Sequence, residues 1–211
     1  MTDFRALHDA ENSDFSAFLH TLDVDDWERP TLCTGWRVRD VVGHILYGQE
    51  LKLWTLPWKL ARFGFSSDRS GQHYSIQRAE GRRPEDLLYD FDHRNPWAGT
   101  SRVFPDYLNL MDRLVHHQDI RRALDRPRAV PIERTAPLLP RLPKLGQVFR
   151  SKRRMRGLHF DATDTDWSWG ERSAPAVRGP AEAIIMATLG RGQALEDCEG
   201  DGVALLKERT D

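Results

Sequence analysis

Residues 101–124 read Ser-Arg-Val-Phe-Pro-Asp-Tyr-Leu-Asn-Leu-Met-Asp-Arg-Leu-Val-His-His-Gln-Asp-Ile-Arg-Arg-Ala-Leu. Phe104, Tyr107, Leu108, Met111, Leu114 and Val115 recur at the 3.6-residue period of a helix that buries one face. Toward the N-terminus the same texture repeats. Phe4, Leu7, Phe15, Phe18, Leu19 and Leu22 predict a helix over 4–22, and Val41, Val42, Ile45, Leu46 and Leu53 one over 38–60. Asp40 falls in the first turn of the latter, where a carboxylate suits the positive end of the helix dipole. Pro84 opens a third helix, to about Arg94, with Leu87, Leu88 and Phe91 inward. Pro and Gly break the pattern at 27–36 and 95–99, and residues 61–83, rich in Gly, Ser and Arg, read as a long crossing connection. Four helices with one long crossover predict a bundle.

Toward the C-terminus the texture changes. Five prolines within 126–143 exclude a regular helix there and mark a linker, continued by a short helix around 144–155. Gly157–Thr163 alternates like a strand, and Trp167-Ser168-Trp169 is a second, with Thr163–Asp166 as the turn. Gly179-Pro180 opens a helix over 181–189, ended by Gly190, and Gly200–Arg209 adds a strand or short helix. The expected fold is mainly α: a four-helix bundle over 1–125, a Pro-rich and basic linker over 126–156, and a small α+β domain over 157–211.

Composition excludes several classes. The 211 residues are 39% hydrophobic and 30% charged, too apolar for a disordered chain. A net charge of −1 does not draw the protein toward nucleic acid or acidic membranes. No apolar run spans a bilayer, and Met1-Thr2-Asp3-Phe4-Arg5 does not begin a secretion signal. Two distant cysteines, Cys33 and Cys198, supply neither a disulfide framework nor a Cys-rich metal site, so a reduced, cytoplasmic protein is expected.

Phosphate loops, Gly-x-Ser-x-Gly elbows and His-Glu-x-x-His pairs are absent, which leaves the placement of eight histidines. Asp112 and His116, four apart, project from one face of their helix beside its apolar stripe. His44 stands at the edge of the stripe of the second helix. Two histidines and a carboxylate from two helices make an open three-ligand metal site. The same spacing also fits a solvated ion pair and a boundary histidine, and does not choose between them. His117 lies about 100° round the helix from His116 and remains a further contender. Asp119 shares the face of His116, either orienting a ligand or bridging to Arg121 or Arg122. Cys33 reads as a packed thiol, and Trp36, Trp54 and Trp58 as core or pocket lining. Arg141–Arg156 holds seven Lys or Arg and no acid, a solvated linker or a site for an acidic ligand.

Glu28–Ile45, with its Pro30-Thr31-Leu32-Cys33-Thr34-Gly35-Trp36 loop and His44, resembles the N-terminal signature of the mycothiol-dependent maleylpyruvate isomerase family, among the DinB-like bundles. The run Asp112–Leu124 is similar to that family's second motif. Gly157–Arg191, containing Asp164–Gly170 and Val177–Glu182, resembles its C-terminal domain. The resemblance implies a divalent metal, zinc with nickel as the alternative, on His44, Asp112 and His116, and mycothiol as thiol cosubstrate. In the isomerase the middle ligand is Glu, so Asp112 shortens the reach, and Arg37 replaces a Thr that caps the helix in many relatives. A metal-bound thiolate then attacks a small electrophile or unsaturated acid, giving an isomerase or an S-transferase, with no catalytic residue beyond the metal site. The alternative is a bundle that binds metal or ligand without turnover. Neither reading calls for nucleic acid or membrane, and a monomer or a homodimer fits both.

Overall fold

The computed structural model describes residues 2–146 and 149–210. Two compact units divide the chain, Asp3–Pro127 and the segment from Arg128 onward. The first is all helical: α1 (Phe4–Leu19), α2 (Val38–Glu50), α3 (Leu56–Ala61), α4 (Ser67–Ala79), α5 (Pro84–His93) and α6 (Asp106–Ala123). Phe15, Phe18 and Leu19 of α1 meet Val38, Val41, Val42, Ile45 and Leu46 of α2, Leu87 and Phe91 of α5, and Ile120 of α6 in one apolar core. The mainly α fold expected from the periodicity is the fold observed.

The helices depart from the sequence expectation in several places, and α1 ends at Leu19 rather than Leu22. The second helix stops at Glu50 rather than Leu60: Leu51 is extended, and Pro57 lies in the first turn of a new helix, α3. Residues 61–83 are not simply a connection, because they hold α4. Its N-cap is Ser66, whose hydroxyl accepts from the Arg69 amide, and the residues it buries are Ser70, Ser75 and Ala79. A buried face made of such small residues leaves no apolar stripe to read. The last helix begins at Asp106, because Pro105 caps it and a 3₁₀ turn occupies Gly99–Arg102. Gly99 has φ +59°, and a Cβ there would overlap the Gly48 carbonyl, so the chain passes the end of α2 only as glycine.

The start of α2 carries its own cap. The Asp40 carboxylate accepts from the Arg37 amide at 2.9 Å and from the Arg37 guanidinium at 2.9 and 3.1 Å. Asp40 thus makes the reciprocal half of a capping box, taking the N-cap amide and the Arg37 guanidinium together.

The second unit contains α7 (Ile132–Thr135), α8 (Ser151–Met155), α9 (Ala181–Thr188) and α10 (Val203–Lys207), with strands β1 (His159–Ala162), β2 (Ser168–Trp169) and β3 (Ala176–Gly179). The Pro-rich stretch forms one short α-helix, α7, and a 3₁₀ segment that buries Leu139 and Leu142. Of the short helix expected over 144–155, α8 is the helical part, and residues 147 and 148 lie outside the described residues. The sheet order is β2-β1-β3, with Phe160 opposite Trp169 in the antiparallel pair and opposite Val177 in the parallel pair. The strand β3 was not expected, and α9 follows it directly, buried along its whole length. The tail takes the helical option, α10. Arg154, in the basic run, is held by the carbonyls of Phe149, Thr188 and Arg209. Among the described residues no helix is long and apolar enough to cross a membrane.

Candidate metal centre

His44 is carried by α2, Asp112 and His116 by α6. Their ligand atoms all lie within 4.8 Å of one another. Asp112 Oδ1 is 3.5 Å from His116 Nε2 and 3.8 Å from His44 Nε2. A tetrahedral ion with bonds of about 2.0–2.1 Å sets its ligands roughly 3.3–3.4 Å apart. The shorter aspartate therefore reaches, and the donor set fits a divalent cation. Side-chain exposure grades across the group, 9% for His116, 30% for His44 and 45% for Asp112, so the cluster opens to solvent on its carboxylate side.

The neighbours fix how each ring presents itself. Ser75 Oγ donates to the Gly71 carbonyl at 2.6 Å and lies 3.3 Å from His44 Nδ1. Its own proton is committed, so it accepts from Nδ1–H and leaves the His44 Nε2 lone pair toward Asp112. His116 Nδ1 lies 3.0 Å from Asp119 Oδ2, a buried carboxylate that can only accept, and this points the Nε2 lone pair of His116 into the same space. The Cys33 thiol donates to the same Asp119 oxygen at 2.9 Å, with Sγ 3.7 Å from His116 Nδ1. Trp36 lies beside both rings, at 5.0 Å from His44 and 5.9 Å from His116.

Electrostatics separate the two histidines. Burial disfavours the imidazolium of His44 and holds it below 6.5, against the opposing pull of Asp112. Burial acts on His116 in the same sense, but Asp112, Asp119 and Cys33 outweigh it and hold that ring well above 6.5. Burial works against the Asp112 carboxylate as well, yet His116 and His44 keep it well below 3.8.

The structure brings together His44, Asp112 and His116, with Asp119 behind His116 in the orienting position that its spacing allowed. His117 goes elsewhere. It is fully buried, stacks on Phe15 at 4.4 Å, donates from Nδ1 to Glu11 at 2.8 Å, and accepts from Arg121 Nε at 2.8 Å. Both ring nitrogens are thus engaged, one by Glu11 of α1 and the other by Arg121 of α6. Trp36 borders the cluster, whereas Trp54 and Trp58 are exposed rather than core. Cys33 pairs with Asp119 instead of simply filling space. Ser75 was missed, because the helix that carries it has no apolar signature.

Residues 8–98 match the family model described as the mycothiol maleylpyruvate isomerase N-terminal domain. Among curated proteins no sequence matches the chain. Two solved structures share its fold over 95% of both chains: the mycothiol-dependent maleylpyruvate isomerase, with a TM-score of 0.62 and 15% identity, and a histidine-to-alanine mutant of it, with a TM-score of 0.61 and 16% identity. The fold likeness spans both units, while the sequence match covers α2 with His44 and stops before α6. Residues 8–98 are thus similar to the N-terminal domain of the mycothiol maleylpyruvate isomerase family, and the whole chain shares the fold of that isomerase.

Proposed function

We propose that this protein is a metal-dependent isomerase that uses mycothiol as a thiol cosubstrate on a small unsaturated acid, with S-transfer to an electrophile as the related activity of the same site. The observation that carries the reading is the convergence of His44, Asp112 and His116 with both imidazole lone pairs directed at one point, in a chain whose residues 8–98 match the mycothiol maleylpyruvate isomerase N-terminal domain.

A divalent cation, zinc or nickel, bound at that point would supply the positive charge that lets a thiol ionise at neutral pH. The chain's own residues hold and orient. Ser75 and Asp119 fix the two rings from behind, Asp112 contributes the charge and the open side, and Trp36 covers the imidazoles with an apolar face. Asp119, accepting from both Cys33 and His116, keeps the Cys33 thiol tied down rather than free as a nucleophile. The attacking sulfur therefore comes from the cosubstrate, and the protein's part is to position and electrostatically activate it.

The test is isomerisation of maleylpyruvate followed by absorbance, with mycothiol present or omitted. Turnover that needs both mycothiol and zinc or nickel, and that falls at least about 100-fold in His116→Ala, is the expected outcome. Stoichiometric metal binding with no mycothiol-dependent turnover of maleylpyruvate or of an electrophile would replace this reading with a bundle that binds without catalysing.

A further inference from the structure

Arg113 follows Asp112 and precedes His116 by three residues on α6, and it points into the bundle rather than out of it: the residue is 3% exposed. Its guanidinium lies 5.3 Å from the Phe91 ring, and its positive charge acts on the rings of His44 and His8. A buried guanidinium is normally held by a carboxylate or by several carbonyls. Here Nε and Nη1 are both buried with no hydrogen-bond partner, and among the described residues no carboxylate forms an ion pair with the group. Asp112 and Glu11 favour its charge from a distance, yet burial dominates and lowers its pKa to about 10, which still leaves it charged at neutral pH. Glu11, the buried acid nearest in kind, is turned toward His117.

A permanent cation with unpaired donors, one residue from a ligand of the metal centre, is an arrangement that destabilises the free protein and becomes favourable once an anion arrives. We propose that Arg113 is a carboxylate-binding residue, which anchors an acid group of the molecule entering beside His44, Asp112 and His116. The planar fork of a guanidinium matches the two oxygens of a carboxylate, and its charge already acts on the ring of His44 in the same cluster. This deepens the proposed function by naming the group on the substrate that the chain itself recognises. It rests on that reading for the location of the site but not for the binding of the anion.

The test is thermal unfolding of chelator-treated, metal-free protein with succinate, with the uncharged succinamide and inorganic phosphate as comparison arms. Succinate near ten times its Kd is expected to raise the melting temperature by roughly 3 °C or more, and succinamide and phosphate to do much less. The Arg113→Met variant, which keeps the stem but not the charge, is expected to melt no lower than the wild type and to lose the succinate shift. Absence of the shift in the wild type, its persistence in Arg113→Met, or its reproduction by phosphate or succinamide would overturn the assignment. An Arg113→Met chain that is markedly destabilised or does not fold would overturn it too, because a guanidinium without partners has no fold to support. Since no metal is present, a failed metal centre would leave the succinate result standing, and the reverse holds as well.

Discussion

Ser75 Oγ gives its proton to the Gly71 carbonyl, so toward His44 it can only accept. Asp119 does the same for His116. Residues behind a ligand set its tautomer, and their loss typically weakens a metal by roughly 10–100-fold. Ser75→Ala is therefore expected to lower affinity for zinc by about that factor, with the melting temperature little changed; competition with a chromogenic chelator measures it, and an unchanged affinity would remove Ser75 from the account. A second consequence concerns protons. In the metal-free protein His116 is held above 6.5, so the stability its charged form contributes is complete below that value and fades as pH rises through the raised one. His44, held below 6.5, is already neutral at pH 7. A metal requires both rings neutral. Binding at pH 7 should then release about one proton per ion, and apparent affinity should fall as pH drops. Calorimetry in buffers of different ionisation enthalpy reads the proton count directly.

At the scale of elements, the centre depends on how closely α2 approaches α4. Gly43 permits that approach: a Cβ there would stand 2.5 Å from the Ser75 carbonyl oxygen and 3.0 Å from Ala79 Cβ. Both are fixed by helix geometry and cannot step aside. Gly43→Ala is expected to cost about 1–3 kcal/mol, as overpacking does, and to weaken metal binding because His44 and Ser75 sit on the two helices being forced apart. Chemical denaturation and the chelator competition check the two halves separately. The same pair of helices shows what the sequence could and could not reveal. The stripe Val41, Val42, Ile45 and Leu46 announces α2 to any reading of period. In contrast α4 buries serines and an alanine, and its helical character comes from the Ser66 cap and from packing on α2, neither of which periodicity senses. Strand β3 escaped for a related reason. Four residues flanked by two prolines carry too short an alternation to stand out, and their extended form follows from pairing with β1.

Across the whole molecule, the pairing of Asp112 with His116 was legible because i and i+4 on a helix fix geometry locally, and His44 was legible as a stripe-edge candidate that the family resemblance joined to them. What surrounds the trio was not legible. Ser75 lies 31 residues from His44, and Cys33 lies 86 from Asp119. Contacts of that span are set by the fold and leave no mark at either end. The central claim is that His44, Asp112 and His116 together hold one divalent ion. Metal content by elemental analysis, after reconstitution with zinc and desalting, tests it most directly in the wild type beside His44→Ala, Asp112→Ala and His116→Ala. About one equivalent is expected in the wild type, and loss in each variant whose melting shows it folded. A wild type that retains no metal, or folded variants that all retain it, would contradict the claim.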